Sequence, residues 1–222
     1  MALDLAPQVR EIFRRAWETR QGRVVPEPGD LKLGNDAVEF ARATVLYADL
    51  SGSTSFVDTS LWQFAAEIYK AYLHCAESII RNEGGVITSY DGDRVMGVFV
   101  GNNQTTSAAR AALKINWAVQ KIVNPELKSQ YPSTNYTVSQ VVGIDCGEVR
   151  AARTGVRGFN DVVWVGRPAN YAAKLTELKG AERSWITDTA YDWLHEDLKR
   201  RKSDGVPIWK KFTWTQNGNK PV

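Results

Sequence analysis

The chain has 222 residues, is 43% hydrophobic and carries a formal net charge of +3, which predicts a globular protein with a full core and does not favour a nucleic-acid partner. It has no apolar run long enough to span a bilayer and no apolar core of a signal peptide, so we expect no membrane partner. Its two cysteines are more typical of free thiols in a reducing cytoplasm than of a disulfide.

Residues 1–36 are predicted to form a helical arm followed by a linker. Six apolar residues recur at helical spacing and predict a helix that docks on the main body or on a second subunit: Leu5, Val9, Ile12, Phe13, Ala16 and Trp17. Residues 21–35 contain glycines and prolines without a clear period, which is typical of a linker. We therefore expect one folded domain over 37–222.

An apolar, β-branched run that ends at Leu50 predicts a buried strand. The strand brings the carboxylate of Asp49 to its carboxyl end. Residues 51–54 then predict a tight turn before a helix, and such a turn exposes backbone N–H groups that bind anions. A carboxylate suited to a metal would thus lie beside a turn suited to phosphate; the alternative is that Asp49 only caps the turn.

Periodicity and turn residues predict alternating helices and strands along the rest of the chain. The predicted helices span 61–82, 106–123, 168–179 and 189–199, and the predicted strands lie within 86–100 and at 137–145, 148–154, 162–165, 183–187 and 206–214. A turn is expected at 146–147 and a loop between Pro125 and Pro132. The order predicts an α+β protein with a ferredoxin-like βαββαβ core, added strands and helices, and helices packed on one face of an open sheet.

A second carboxylate, Asp93, follows Gly92 in the predicted hairpin. In a βαββ arrangement this hairpin lies beside the first strand, so Asp49 and Asp93 would lie at the same end of neighbouring strands. Two carboxylates beside a phosphate-binding turn suit Mg²⁺ or Mn²⁺, which share oxygen ligands with substrate phosphates. Two structural alternatives stay open: a type I′ turn explains Asp91 without a function, and Asp93 can be a solvated hairpin residue.

Asn170 and Lys174 form a third group in the predicted helix 168–179. They are four residues apart, so they share one helix face and can reach one ligand. The alternative is an ordinary surface pair on an amphipathic helix.

Three segments in this order resemble the catalytic segments of class III nucleotidyl cyclases: YADLSGST, GGVITSYDGDRVMGVF and VGRPANYAAKL. The resemblance covers residues 43–214. It implies that 37–222 form a catalytic domain, which converts a nucleoside triphosphate to its 3′,5′-cyclic monophosphate and pyrophosphate. It also implies a homodimer with two sites shared across the interface, each holding two divalent ions, Mg²⁺ or Mn²⁺.

The same resemblance assigns roles to individual residues. It implies that Asp49, Asp93 and the Leu50 carbonyl bind the metals. The backbone of Gly52, Ser53 and Thr54 would hold phosphates. Asn170 takes the position that orients the ribose. Lys174 takes the position of the arginine that stabilises the transition state, although lysine is a point charge and not a fork.

The base-reading positions depart from those of purine cyclases. They fall on Ser89 and Val163, and valine cannot hydrogen-bond a base edge. Tyr47, on the strand face of Asp49, can narrow the pocket. The pattern is similar to the pyrimidine cyclases of the bacterial Pycsar antiphage system, and it implies a uridylate cyclase, with UTP favoured over CTP and an antiphage signal as product. The alternatives are an adenylate or guanylate cyclase with an atypical pocket, and a catalytically silent nucleotide-binding module.

Overall fold

The computed structural model describes residues 5–156 and 159–222. Its strands are β1 (Glu18–Gln21), β2 (Asp36–Leu50), β3 (Val86–Asp91), β4 (Arg94–Phe99), β5 (Gln140–Val156), β6 (Phe159–Val165), β7 (Ser184–Ile186), β8 (Thr213–Trp214) and β9 (Lys220–Pro221). Its helices are α1 (Ala6–Arg14), α2 (Ser53–Thr59), α3 (Trp62–Asn82), α4 (Gln104–Ala118), α5 (Asn124–Gln130), α6 (Arg167–Leu175), α7 (Asp188–Asp192) and α8 (Glu196–Lys199).

The main sheet has the strand order β3, β4, β2, β5 and β6, and each of these neighbouring pairs is antiparallel. β1 pairs in parallel with the beginning of β2, and β7 pairs in parallel with β5. The elements β2, α3, β3, β4, α4 and β5 follow one another along the chain. The predicted combination of a sheet with packed helices is therefore confirmed. None of the helices in the described ranges is long and apolar enough to cross a membrane.

Strand β2 is the centre of the sheet and is buried on both faces. Leu46, Ala48 and Leu50 belong to a core that also contains buried residues of α3 and α4. Val45 and its neighbours on the other face belong to a second core. Side chains alternate between the faces of a strand, so one continuous apolar run supplies both cores.

Helix α6 packs on the face of β2 opposite α3 and α4, so the prediction that the helices lie on one face is wrong. Ala169 and Ala172 belong to the core that contains Val45. The approach is close, because a Cβ added to Gly143 of β5 would lie 2.1 Å from the Ala172 carbonyl oxygen. Small residues on both elements permit this distance. The apolar spacing of α6 predicted a helix but carried no information about which face of the sheet it covers.

Two predicted segments in the middle of the chain differ in the structure. β5 is one long strand, and the turn expected at 146–147 is wrong; the chain continues there opposite a register shift of β2 between Phe40 and Ala43. The loop expected from Pro125 is also wrong, because a π-helical turn at 119–123 leads into α5 and Pro125 lies in the first turn of that helix, where a missing N–H is tolerated.

The C-terminal segments are shorter than predicted. The helix expected at 189–199 is divided into α7 and α8, and the His195 side chain accepts a hydrogen bond from the Asp197 backbone N–H at the start of α8. The strand expected at 206–214 is reduced to β8, which pairs with β9.

The N-terminal helix is confirmed as α1, but its apolar side chains lie on the surface of the single chain: Phe13 is 83% exposed. The Asn35 side-chain amide donates hydrogen bonds to the carbonyls of Ile12 and Arg15 and so joins the linker to the end of this helix. β1 lies within the predicted arm and linker and pairs with β2. The division of the chain between residues 36 and 37 stays a prediction.

Candidate active site

Asp49 lies near the end of β2, beside Leu50 and the turn that leads to α2. Burial first, and then the neighbouring charge of Asp93, raise the pKa of its carboxyl from 3.8 to about 6. The positive charge of Arg94, the Thr176 hydroxyl and the Leu50 backbone act in the opposite direction. The charge of Asp93 therefore acts directly on the Asp49 carboxyl, so the two residues lie close together in space.

Asp93 lies in the two-residue loop between β3 and β4. Asp91 and Arg94 flank this loop and form the last residue pair of the two strands. Of the two loop residues only Gly92 has a positive φ, +61°, so the expected type I′ turn, which needs two, is wrong. The Asp91 carboxylate accepts a hydrogen bond from Arg94 at 2.8 Å. By contrast, Oδ2 of Asp93 is buried and has no hydrogen-bond partner within the described ranges.

The donor atoms at this end of the sheet fit a divalent cation. Two carboxylates lie together, and in the described ranges one oxygen of Asp93 and the Ser51 hydroxyl are buried without a hydrogen-bond partner. In the described part of the chain, no group of three or more His, Cys, Asp or Glu side chains lies close enough to hold a metal. A site with only one or two carboxylates suits Mg²⁺ or Mn²⁺, because substrate phosphates supply the remaining oxygen ligands of these ions.

The turn after β2 has the geometry of a helix start. Gly52 has φ +74°, in the left-handed region that favours glycine, and precedes α2. The Ser55 hydroxyl and the Phe56 N–H both donate to the Gly52 carbonyl, at 3.0 and 3.2 Å. The N–H groups of Ser53 and Thr54 stand in the first turn of α2, where a helix supplies no acceptor. The turn therefore presents donors beside Asp49.

Two of the three base-pocket positions share one row across the sheet. Ser89 of β3 is opposite Met96 of β4, and Met96 is opposite Tyr47 of β2, so all three point to one face. The Tyr47 ring is partly buried, which raises its pKa, and the Arg94 guanidinium lies 5.3 Å from the ring centroid. The structure thus brings Tyr47 and Ser89 onto the face that carries Asp49.

Val163 lies in β6, opposite Ala152 of β5, and is 41% exposed. The row of Ala152 crosses β2 at Ala37, ten residues from Tyr47 along that strand. The single chain therefore does not place Val163 in the row of the other two positions.

Asn170 and Lys174 both lie on the exposed side of α6, while Ala169 and Ala172 face the core. Neither residue forms a hydrogen bond or ion pair with Asp49 or Asp93 in the part of the chain that the structure describes. The predicted site residues therefore form two separate groups in one chain, with the carboxylates in one and the α6 pair in the other.

Sequence reasoning missed the contacts that fix α6. The Arg167 Nε lies 3.0 Å from the fully buried Asp145 carboxylate, and its guanidinium also donates to the Cys146 carbonyl at 2.9 Å. Burial raises the pKa of Asp145, while the Thr187 hydroxyl and Arg167 act in the opposite direction. The sequence contained a signal for these contacts, because Arg167 lies three residues before Asn170 in the segment VGRPANYAAKL.

A cavity of about 550 Å³ lies away from the carboxylates. It lies between β7, α7 and the C-terminal segment and includes Lys210 and Lys211 in its wall. Lys211 forms an ion pair with Asp188 at 3.6 Å, and the Lys210 ammonium lies 5.0 Å from the Phe212 ring.

Several known proteins are similar to this chain along almost its full length, although no protein-family model matches it. A uridylate cyclase of Burkholderia cepacia is 51% identical over 98% of this chain and 94% of its own. One of Xanthomonas perforans is 47% identical over 99% and 94%, and one of Rhodovulum is 34% identical over 95% and 89%.

Solved structures show the same fold. The guanylyl cyclase Cya2 superposes with a TM-score of 0.69 at 19% identity, over 82% of this chain and 88% of its own. A class III adenylyl cyclase-like ATP-binding protein from Pseudomonas aeruginosa gives 0.70 at 16% identity, over 88% and 45%. A guanylate cyclase domain from Catenaria anguillulae, solved in complex with GTP, gives 0.63 at 17% identity, over 82% and 94%.

Proposed function

The chain belongs to the uridylate cyclases, which are class III nucleotidyl cyclases, and on this premise we propose that it converts UTP to 3′,5′-cyclic UMP and pyrophosphate. One observation carries the proposal: Asp49, whose carboxyl feels the charge of Asp93, lies on the sheet face that also carries Tyr47 and Ser89. A metal-binding pair is therefore next to a narrow surface that can receive a base.

We assign the metal site to the carboxylates of Asp49 and Asp93 and the carbonyl of Leu50. Two divalent ions, Mg²⁺ or Mn²⁺, would lower the pKa of the ribose 3′-hydroxyl and neutralise the charge of the triphosphate. The Oδ2 of Asp93 is buried and has no hydrogen-bond partner among the described residues, which supports this assignment, because a cation would satisfy it.

The remaining residues position the substrate. Backbone N–H groups of 52–54 bind phosphate oxygens at the start of α2, Asn170 holds the ribose, and Lys174 lies against the charge that develops on the α-phosphate. The bond that forms joins the ribose O3′ to the α-phosphorus, and the bond that breaks joins that phosphorus to pyrophosphate. Both reacting atoms belong to one molecule, so correct positioning supplies much of the rate.

The complete site requires two chains in this proposal. The α6 pair lies on an exposed helix face and has no contact with either carboxylate in its own chain, over the residues described. A two-fold homodimer of this domain would place Asn170 and Lys174 of one chain opposite Asp49 and Asp93 of the other. Each dimer would then contain two equivalent sites, as two-fold symmetry demands.

The base preference is the finer part of the proposal. The Tyr47 ring occupies space that a second ring of a purine would need, and Ser89 offers a hydroxyl that pairs with a pyrimidine edge. Three relatives that are 34–51% identical are named uridylate cyclase, which supports uracil over cytosine as the base of the substrate. We further propose that cyclic UMP serves as an antiphage signal, for which only the resemblance of the motifs argues.

The deciding experiment incubates the full chain with Mn²⁺ and the four ribonucleoside triphosphates, separately and mixed, and identifies the cyclic products by chromatography. Cyclic UMP should dominate in the mixture. A dominant cyclic AMP or cyclic GMP would contradict the pyrimidine assignment, and dominant cyclic CMP would contradict only the choice of uracil.

A silent nucleotide-binding module is the second candidate, since one structural neighbour is a cyclase-like ATP-binding protein. Binding of UTP without any cyclic product, with Mg²⁺ and with Mn²⁺, would favour it. The presence of Asp49, Asp93 and Asn170 together argues for catalysis, because these are the positions that the proposed reaction uses.

A further inference from the structure

Arg94 lies on the sheet face that carries Tyr47, Ser89 and Asp49, although the proposed mechanism gives it no role. On β4 it lies two residues before Met96 and therefore on the same face. Asp91 of β3 is its direct partner in the sheet. On the other side, Ala48 of β2 pairs with Val95 of β4. Continuing this antiparallel register by one residue places Asp49 beside Arg94. The row of Arg94 thus lies directly beside the row of Tyr47 and Ser89.

The Arg94 side chain is held in a defined position. Its guanidinium donates one hydrogen bond to Asp91 at 2.8 Å and lies 5.3 Å from the centroid of the Tyr47 ring, a distance typical of a cation–π contact. The side chain is 28% exposed, and its Nε is buried with no partner in the described ranges. A guanidinium has five N–H groups, so most of its donors are available to a ligand.

The charge of Arg94 is balanced by carboxylates on both sides, Asp91 and Asp49. A guanidinium in such surroundings is less suited to neutralising a triphosphate than to giving directed hydrogen bonds. It also lies against Tyr47, which forms the wall of the proposed base pocket. Both observations favour the base over the phosphates as the group that Arg94 contacts.

A guanidinium only donates hydrogen bonds and never accepts them. Uracil has a carbonyl acceptor at position 4, whereas cytosine has an amino donor there, and a donor that faces a donor is left unpaired. We propose, on the basis of the proposed cyclase function, that Arg94 determines specificity by donating a hydrogen bond to O4 of uracil and excluding cytosine. Ser89 alone cannot do this, because a hydroxyl answers either base.

The test compares kcat/KM for UTP and CTP in the full chain with Mn²⁺. Glutamine has both a donor and an acceptor, so Arg94→Gln should accept either base and lower the UTP-to-CTP ratio by about 10- to 100-fold. Arg94→Lys keeps a donor without an acceptor and should retain the preference for UTP while it loses rate. Arg201→Gln is the matched control, because Arg201 also pairs with an aspartate three residues away, and its ratio should not change.

A substrate series tests the same contact without relying on the folding of a variant. Sulfur accepts hydrogen bonds poorly, so the wild-type chain should use 4-thio-UTP about 10-fold less well than UTP and use 2-thio-UTP almost normally. An equal kcat/KM for UTP and 4-thio-UTP would overturn the proposal. So would an equal loss for UTP and CTP in Arg94→Gln, which is the result expected of a phosphate contact.

The two proposals fail in different ways. Absence of cyclic UMP from the wild-type reaction contradicts the proposed function. If wild-type protein makes cyclic UMP and the ratio in Arg94→Gln is unchanged, the function stands and only the role of Arg94 is wrong.

Discussion

Asp49→Asn should stabilise the metal-free protein at pH 7. The pKa of Asp49 rises from 3.8 to about 6, so at neutral pH the folded protein holds a charge that burial and Asp93 both disfavour. A shift of roughly two units corresponds to about 3 kcal/mol. Asp49 is only partly buried, so solvent screens this energy, and we expect about 1–2 kcal/mol.

The pH dependence follows from the direction of the shift. A raised pKa means that the native state binds the proton more tightly than the unfolded state, so the stability due to this carboxyl is present below pH 4 and lost between pH 4 and about 6. The free energy of unfolding of the wild type should therefore fall relative to that of Asp49→Asn over this range. Above pH 6 the difference should be constant.

The measurement is urea-induced unfolding with EDTA at several values from pH 4.5 to 7.5. Asp58→Asn, the same change at an exposed position of α2, is the control and should follow the wild type. Added Mn²⁺ should stabilise the wild type and not Asp49→Asn, because binding to the native state shifts the equilibrium. A lower stability of Asp49→Asn at pH 7, or curves that stay parallel to those of the wild type, would refute the reasoning.

Four further predictions concern activity and packing. Asp93→Ala should lose more than about 1,000-fold in kcat with little change in melting temperature, measured with Mn²⁺, and normal turnover would exclude its metal role. Mixing inactive Asp49→Ala with inactive Asn170→Ala should restore about a quarter of wild-type activity, because half of the dimers contain one intact site of two; no recovery after proven subunit exchange would mean that each site lies within one chain. Tyr47→Ala should raise the share of purine product in mixed-substrate reactions, and an unchanged share would show that the ring does not limit pocket size. Gly143→Ala should lower the free energy of unfolding by about 1–3 kcal/mol, since the added methyl meets an α6 carbonyl; a stability equal to the wild type would contradict the close packing.

Local patterns allowed several elements to be predicted from the sequence. The apolar run of β2 and the helical period of α3 define those elements without reference to the rest of the chain, and α3 spans Trp62–Asn82, within one residue of the predicted 61–82. The predicted turn at 146–147 failed because local composition at Gly147 could not show that β5 continues opposite a register shift of its neighbour. The C-terminal strand failed because strand formation there depends on a distant partner, β9.

The sequence alone gave the residue types of the site and their order, because a carboxylate at a strand end or a residue pair at helical spacing is visible in the chain itself. Only the tertiary structure decided which of two neighbouring aspartates is available: Asp91 pairs with Arg94, while Asp93 keeps a buried oxygen without a partner in the described ranges. Strand register decided that Tyr47 and Ser89 share a row. The physical reason is that register and the packing of α6 depend on contacts between residues far apart in the chain, which no local pattern records.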